Sequence, residues 1–139
     1  MASRGLEGVE RLMRKIERMP ASVRKAAGQE AFLQAEAMAA EMRAIAPRDD
    51  DPANGEQVRD HIYVEEGRLG DMSYVVISDA KDAKGRPKAV PVELGHRAAD
   101  GKHVPPQPSF WPVVRARRKK AASRIKSAMT RAIRREAQS

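Results

Sequence analysis

The sequence predicts an α+β fold: two N-terminal helices, a small antiparallel β-sheet with a long hairpin, and a long basic C-terminal helix. Three observations predict it. Apolar residues recur at spacings of three and four near both ends of the chain, the signature of amphipathic helices. Between them lie short β-branched and aromatic runs, bounded by Gly, Pro, Asn and Asp. At 139 residues the chain is long enough for one domain with a core of ordinary size.

Leu6, Val9, Met13 and Ile16 form the first helical stripe, which Pro20 ends because its ring removes a backbone donor and crowds the preceding turn. Ser22 is placed to cap a second helix running to about Ala46, before Pro47. That helix is rich in Ala, with Phe32, Leu33, Met38, Met42 and Ile45 for bulk, and Gly28 weakens its first turns. Residues 1–47 thus form a helical part, and 48–95 an antiparallel sheet. The sheet begins with the loop RDDDPANG over 48–55 and a strand at His61–Val64. The strongest strand, 72–78, pairs in this reading with a third strand at 89–94 across a polar connection containing Gly85 and Pro87. Pro91 belongs at the edge of that sheet. A loop spans 96–108, and the last helix spans 109–137. There Ser109 is the expected cap and Pro112 sits in the first turn, where a missing N–H costs little. Val114, Ala121, Ile125, Ala128 and Ala132 line its apolar face.

Charge is distributed unevenly. Residues 101–139 hold 11 of the 27 Lys and Arg but only one of the 19 acids, Glu136, so this segment carries +10 of a net +8 and the rest is slightly acidic. A cationic helix of this kind suits an anionic partner, either nucleic acid or an acidic protein ring. The candidate partner-binding residues are Arg115, Arg117, Arg118, Lys119, Lys120 and Arg124. Few Asn or Gln accompany them, which fits phosphate contact better than base readout.

Chemistry finds little purchase. There is no Cys for a thiolate ligand, nucleophile or disulfide. His96 and His103 share a loop but lack the spacing and companion ligands of a zinc site. Asp49, Asp50 and Asp51 lack the alternation of a calcium loop, since Pro52 falls where a ligand is needed, and read as loop or capping charge. No nucleophile elbow, P-loop or dinucleotide fingerprint is present. The expectation is a protein that is not an enzyme and needs no metal or cofactor. No apolar run approaches the roughly 18–20 residues of a membrane span, and the N-terminus lacks the apolar core of a signal peptide.

Two short motifs carry a resemblance. Val92-Glu93-Leu94-Gly95-His96, followed after a loop by Pro106-Gln107-Pro108-Ser109-Phe110-Trp111-Pro112 and a helix, resembles the neck or tail-completion (head–tail connector) proteins of long-tailed bacteriophages, typified by the tenth gene product of a lambdoid phage. Those proteins show a V-E-F-G-T-like turn and a P-x-P-F-x-x-P-like segment; here Leu94 and His96 replace the Phe and Thr, and the second segment is one residue looser. The stretch from Ala46-Pro47 through Gly55 to Arg59–Val64 is similar to a third family segment, with an Asp-rich insertion. Glu93, Gly95, Pro106, Pro108, Phe110 and Pro112 are the motif residues. The resemblance implies a structural protein of the head–tail interface, made in the bacterial host's cytoplasm and residing in the virion. It implies a homo-oligomeric ring, expected to be six-fold, touching connector, tail-tube or tail-terminator proteins while DNA passes through. A tail terminator, or a non-specific nucleic-acid-binding protein using the basic helix, are the alternatives.

Overall fold

The computed structural model describes residues 3–139, with side chains from residue 7 onward. Its order is α1 (Ser3–Glu17), α2 (Ala21–Ile45), β1 (Ile62–Gly67), β2 (Gly70–Ser78), α3 (Ala89–Leu94), β3 (His96–Arg97), β4 (His103–Val104) and α4 (Trp111–Gln138). The α+β class holds, with the two long helices and a small antiparallel sheet as expected.

Helix α2 is the central beam. It packs against α4 on one side and against the β1–β2 hairpin on the other. This explains its Ala content, because small side chains let two neighbours approach one helix. Ala27, Ala35 and Ala39 are buried, and with them Val23 and Met42 at zero exposure. The core continues through Ala46, Val58, Ile62, Ala80 and Val113. The Ala-rich face is therefore occupied within the chain. A Cβ at Gly28 would stand 2.1 Å from the Asp71 carbonyl oxygen, so glycine is what lets β2 cross α2 so closely.

Caps differ from those expected. Pro20 occupies the N-cap of α2, and the Ser22 hydroxyl instead donates to Glu136 near the end of α4. At the other end of α2, the Arg59 guanidinium donates to the Ala46 carbonyl at 3.1 Å, placing positive charge where the helix dipole is negative. The acidic loop is stabilised internally, as its composition suggests. Asp51 accepts from Ala53 N at 3.0 Å, and Asp49 accepts from Asp51 N and Asn54 Nδ2, both at 3.2 Å. Lys88 ties this loop to the next segment, reaching the carbonyls of Asn54 and Glu56 at 3.2 and 3.0 Å.

The hairpin is the largest departure from expectation. β2 pairs with β1, from Ile62 opposite Ser78 to Gly67 opposite Gly70, with an irregularity at Glu66/Gly67. Residues 89–94 form helix α3 and pair with no strand. Their alternating Val residues suggested a strand, but Pro91 falls in the first turn, where the four leading amides need no intrahelical partner. The polar connection closes on itself instead: Asp82 accepts from Lys84 N and Arg86 N at 2.9 Å each, under a bridge between Lys81 and Pro87. The 96–108 segment is also not a plain loop, since β3 and β4 form a two-rung ladder within it.

Tyr63 donates its hydroxyl to Asp79 Oδ2 at 2.7 Å, and that bond, with lesser help from desolvation and the nearby charges, pushes the phenol up to about 12. Raised above its ordinary value, the phenol contributes stability below pH 10 that is lost as pH rises through about 12. An ultraviolet titration should show one tyrosine ionising at about 12, moving down in Asp79→Asn. Gly28→Ala would gain roughly 1 kcal/mol of helix propensity, yet the clash should leave it destabilised by about 1–3 kcal/mol in urea unfolding.

Candidate functional site

The two halves of the family-like motif meet in space. Glu93 projects from the last turn of α3 toward the start of α4. Its Oε2 accepts from Ser109 N at 2.8 Å and Phe110 N at 3.1 Å, and its Oε1 from Trp111 N at 2.9 Å and Phe110 N at 3.2 Å. The first turn of α4 has no acidic residue of its own. A carboxylate from another element thus satisfies its leading amides and complements the positive end of its dipole. Ser109, expected to be the cap, is buried at 3% exposure, and Phe110 takes the N-cap position without a side-chain cap.

Neighbouring residues zip the same two segments together. Gln107 N donates to the Val92 carbonyl at 2.9 Å. Gly95 closes α3 at φ 81°, a left-handed conformation that disfavours side chains. A Cβ at Gly95 would lie 3.0 Å from the Pro106 ring and from the Val104 carbonyl. Phe110 packs on the core from its rim, edge-on to Trp111 with ring centroids 5.6 Å apart. Trp111 is half exposed, so Phe110 alone plugs the start of α4 onto the core. Pro106, Pro108 and Pro112 are exposed, with Pro112 in the first turn of α4 as expected.

The basic residues divide into two groups. Arg117 turns inward and pairs with Glu41 of α2. This hydrogen bond holds Glu41 below the usual carboxylate range and raises the guanidinium further. The pair's contribution is present at neutral pH and is lost as pH falls through the depressed Glu41 value. Arg117 is therefore an internal strut. Arg115, Arg118, Lys119, Lys120 and Arg124 are exposed, and none forms an ion pair among the described residues. Val113, which the sequence reading passed over, is buried on α4's apolar face with Ala121, Ala128 and Ala132, while Ile133 beside that face is exposed.

No protein family, curated protein or solved structure matches this chain.

His96 and His103 sit on adjacent rungs of the β3–β4 ladder, and His96 Nδ1 lies 3.3 Å from the Pro91 carbonyl. Among the described residues, no three His, Cys, Asp or Glu gather where a metal ion could be held. A groove of about 820 Å³ runs between the 47–58 loop, the 82–88 turn and the β3–β4 ladder, with Arg48, Lys84, Arg86 and Arg97 facing Asp49 and Asp82. No described helix is long and apolar enough to cross a membrane.

Glu93→Ala should cost about 2 kcal/mol, as the loss of a charged helix cap does. Glu93→Gln, which keeps one acceptor oxygen, should cost about half as much. Denaturant titration followed by fluorescence of the single Trp, which lies in this clamp, measures both.

Proposed function

We propose that this chain is a structural component of a phage or phage-derived particle, a ring-forming neck or tail-completion protein that joins the tail to the capsid connector. The observation that carries the reading is the clamp. The residues that resemble the family's two motifs, Glu93-x-Gly95 and Pro106 to Pro112, are distant in sequence yet lock into one joint that launches α4. The joint gives a rigid start to a helix whose outward face is cationic, which suits docking onto an acidic neighbouring ring by complementary charge.

The unpaired cations of α4 also favour a second reading, non-specific binding to nucleic acid, because phosphate contact needs only exposed Lys and Arg. In that case affinity for any duplex would fall steeply with salt and would vanish in the same variants.

The test reverses Arg115, Arg118, Lys119 and Lys120 to Glu, leaving Arg117 in place to keep its pair with Glu41. In particles assembled with this variant, filled heads and complete tails should accumulate unjoined, with infectious yield reduced at least 100-fold. Normal joined particles, or particles that never contain the chain, would refute the head–tail role. Loss of DNA binding with assembly untouched would establish the second reading.

A further inference from the structure

Among the described residues, helix α1 makes no extensive contact with the other long helices. Its apolar side chains nevertheless form one stripe. Val9, Leu12 and Met13 are 40–51% exposed, and only Ile16, at the base, is partly covered. By helical spacing, Glu10 and Glu17, seven residues apart, flank this stripe on one side, and Gly8 and Lys15 on the other. An antiparallel two-fold pair of such helices would bring acids toward acids.

A second uncovered apolar surface lies at the start of α4. A cleft of about 230 Å³ is walled by Val58, Ile62, Val76, Val90, Phe110 and Trp111. Val90 and Trp111 are 62% and 51% exposed at its mouth, and Leu94, one turn beyond Val90 on α3, is 66% exposed. The charge of Glu93 at the cleft is engaged by three amides. Arg115 and Arg118, four and seven residues after Trp111, stand on the same face of α4, one and two turns beyond the cleft.

We infer that α1 is an arm that seats its Val9–Met13 stripe in the α3–α4 cleft of a second copy of this chain, with Glu10 and Glu17 facing that copy's Arg115 and Arg118. The two surfaces match in character, apolar centre to apolar cleft and acidic flank to the basic residues beyond it. Reach decides that the cleft belongs to another copy. Ser22 bonds to Glu136, so the arm is rooted beside the C-terminal end of α4. Trp111 is 25 residues back along that helix, about 37 Å at 1.5 Å per residue. With the link from Glu17 to Pro20 fully extended, Val9 lies at most about 23 Å from Pro20. The arm cannot reach its own cleft.

Arm and cleft occupy opposite ends of the molecule, so the contact is heterologous and propagates from copy to copy until it closes. This deepens the ring reading above and rests on it for the expectation of closure. A single short helix contributes an interface at the small end of specific contacts, below about 1,200 Å² in all. Each link is therefore weak and gains from ring closure.

The test uses the full chain. Sedimentation over a concentration series should show association that Val9→Glu/Met13→Glu weakens at least tenfold, with unchanged circular dichroism because these side chains lie outside the core. Val90→Glu should weaken it equally from the other side. Glu10→Arg/Glu17→Arg should also weaken it, and Arg115→Glu/Arg118→Glu in the same chain should restore it. Because the chain has no Cys, Met13→Cys/Val90→Cys offers a clean trap. Mild oxidation should give a ladder of linked chains. Association unaffected by the arm variants would overturn the arm while leaving a ring through other surfaces intact. A disulfide confined to single chains, or a wild-type protein monomeric throughout with no cross-linked ladder, would also overturn it. The head–tail role itself is judged separately, by particle assembly with Lys119→Glu/Lys120→Glu, which leaves Arg115 and Arg118 in place for the arm.

Discussion

The carboxylate of Glu93 is the constraint from which the C-terminal half of the molecule follows. One side chain satisfies three consecutive amides at the start of α4, and it can do so only from a helical turn that ends close by. That requirement explains why 89–94 coil, although their Val residues favour a strand. It also explains why Gly95 is needed: the chain must reverse sharply there, and Pro106 lies where a side chain would project. The β3–β4 ladder is the return path between the two contacts. Remove the carboxylate and the direction of α4 is held only by Phe110 and by packing on α2.

Packing on α2 supplies the second fixed direction. A helix sheathed on two sides must be thin, and α2 achieves this with Ala and Gly28 where β2 and α4 come closest. The Arg117–Glu41 and Ser22–Glu136 contacts tie the two long helices near opposite ends and set them antiparallel. The core is therefore a seam of small residues, with Met42 and Val23 the large side chains wholly shut from water among the described residues.

Much of this was legible in the sequence, for identifiable reasons. Long periodic segments with Pro at their borders gave α2 within two residues at its start and one at its end, and the Asp-rich loop behaved as its turn chemistry implied. The motif residues Glu93, Gly95 and Phe110 meet in one joint, but that meeting was not visible in the sequence, because a hydrogen bond across 16 to 18 residues leaves no local pattern. Strand partners were misassigned for a related reason. β1 and β2 are joined by the tight turn at 67–70, whose Gly67 and Gly70 are as good a hairpin signal as Gly85 and Pro87. The choice between them depended on whether 89–94 was a strand, and tertiary capping overrode the local preference. Arg117 shows the same limit: by composition it is one cation among many, and only the position of Glu41 separates it.

One consequence of the basic helix concerns the fold itself. Arg115 and Lys119, Lys120 and Arg124, and Arg131 and Arg135 are like-charged neighbours one turn apart, each pair costing a few tenths of a kcal/mol in an exposed helix. The helix is thus under lateral self-repulsion, which Glu93 and Glu41 offset only near its first turns. An anionic surface laid along α4 would relieve that repulsion and tighten the helix at the moment of contact. Ordinary salt would do the same more weakly by screening. Docking and folding are, for this element, two readings of one electrostatic balance.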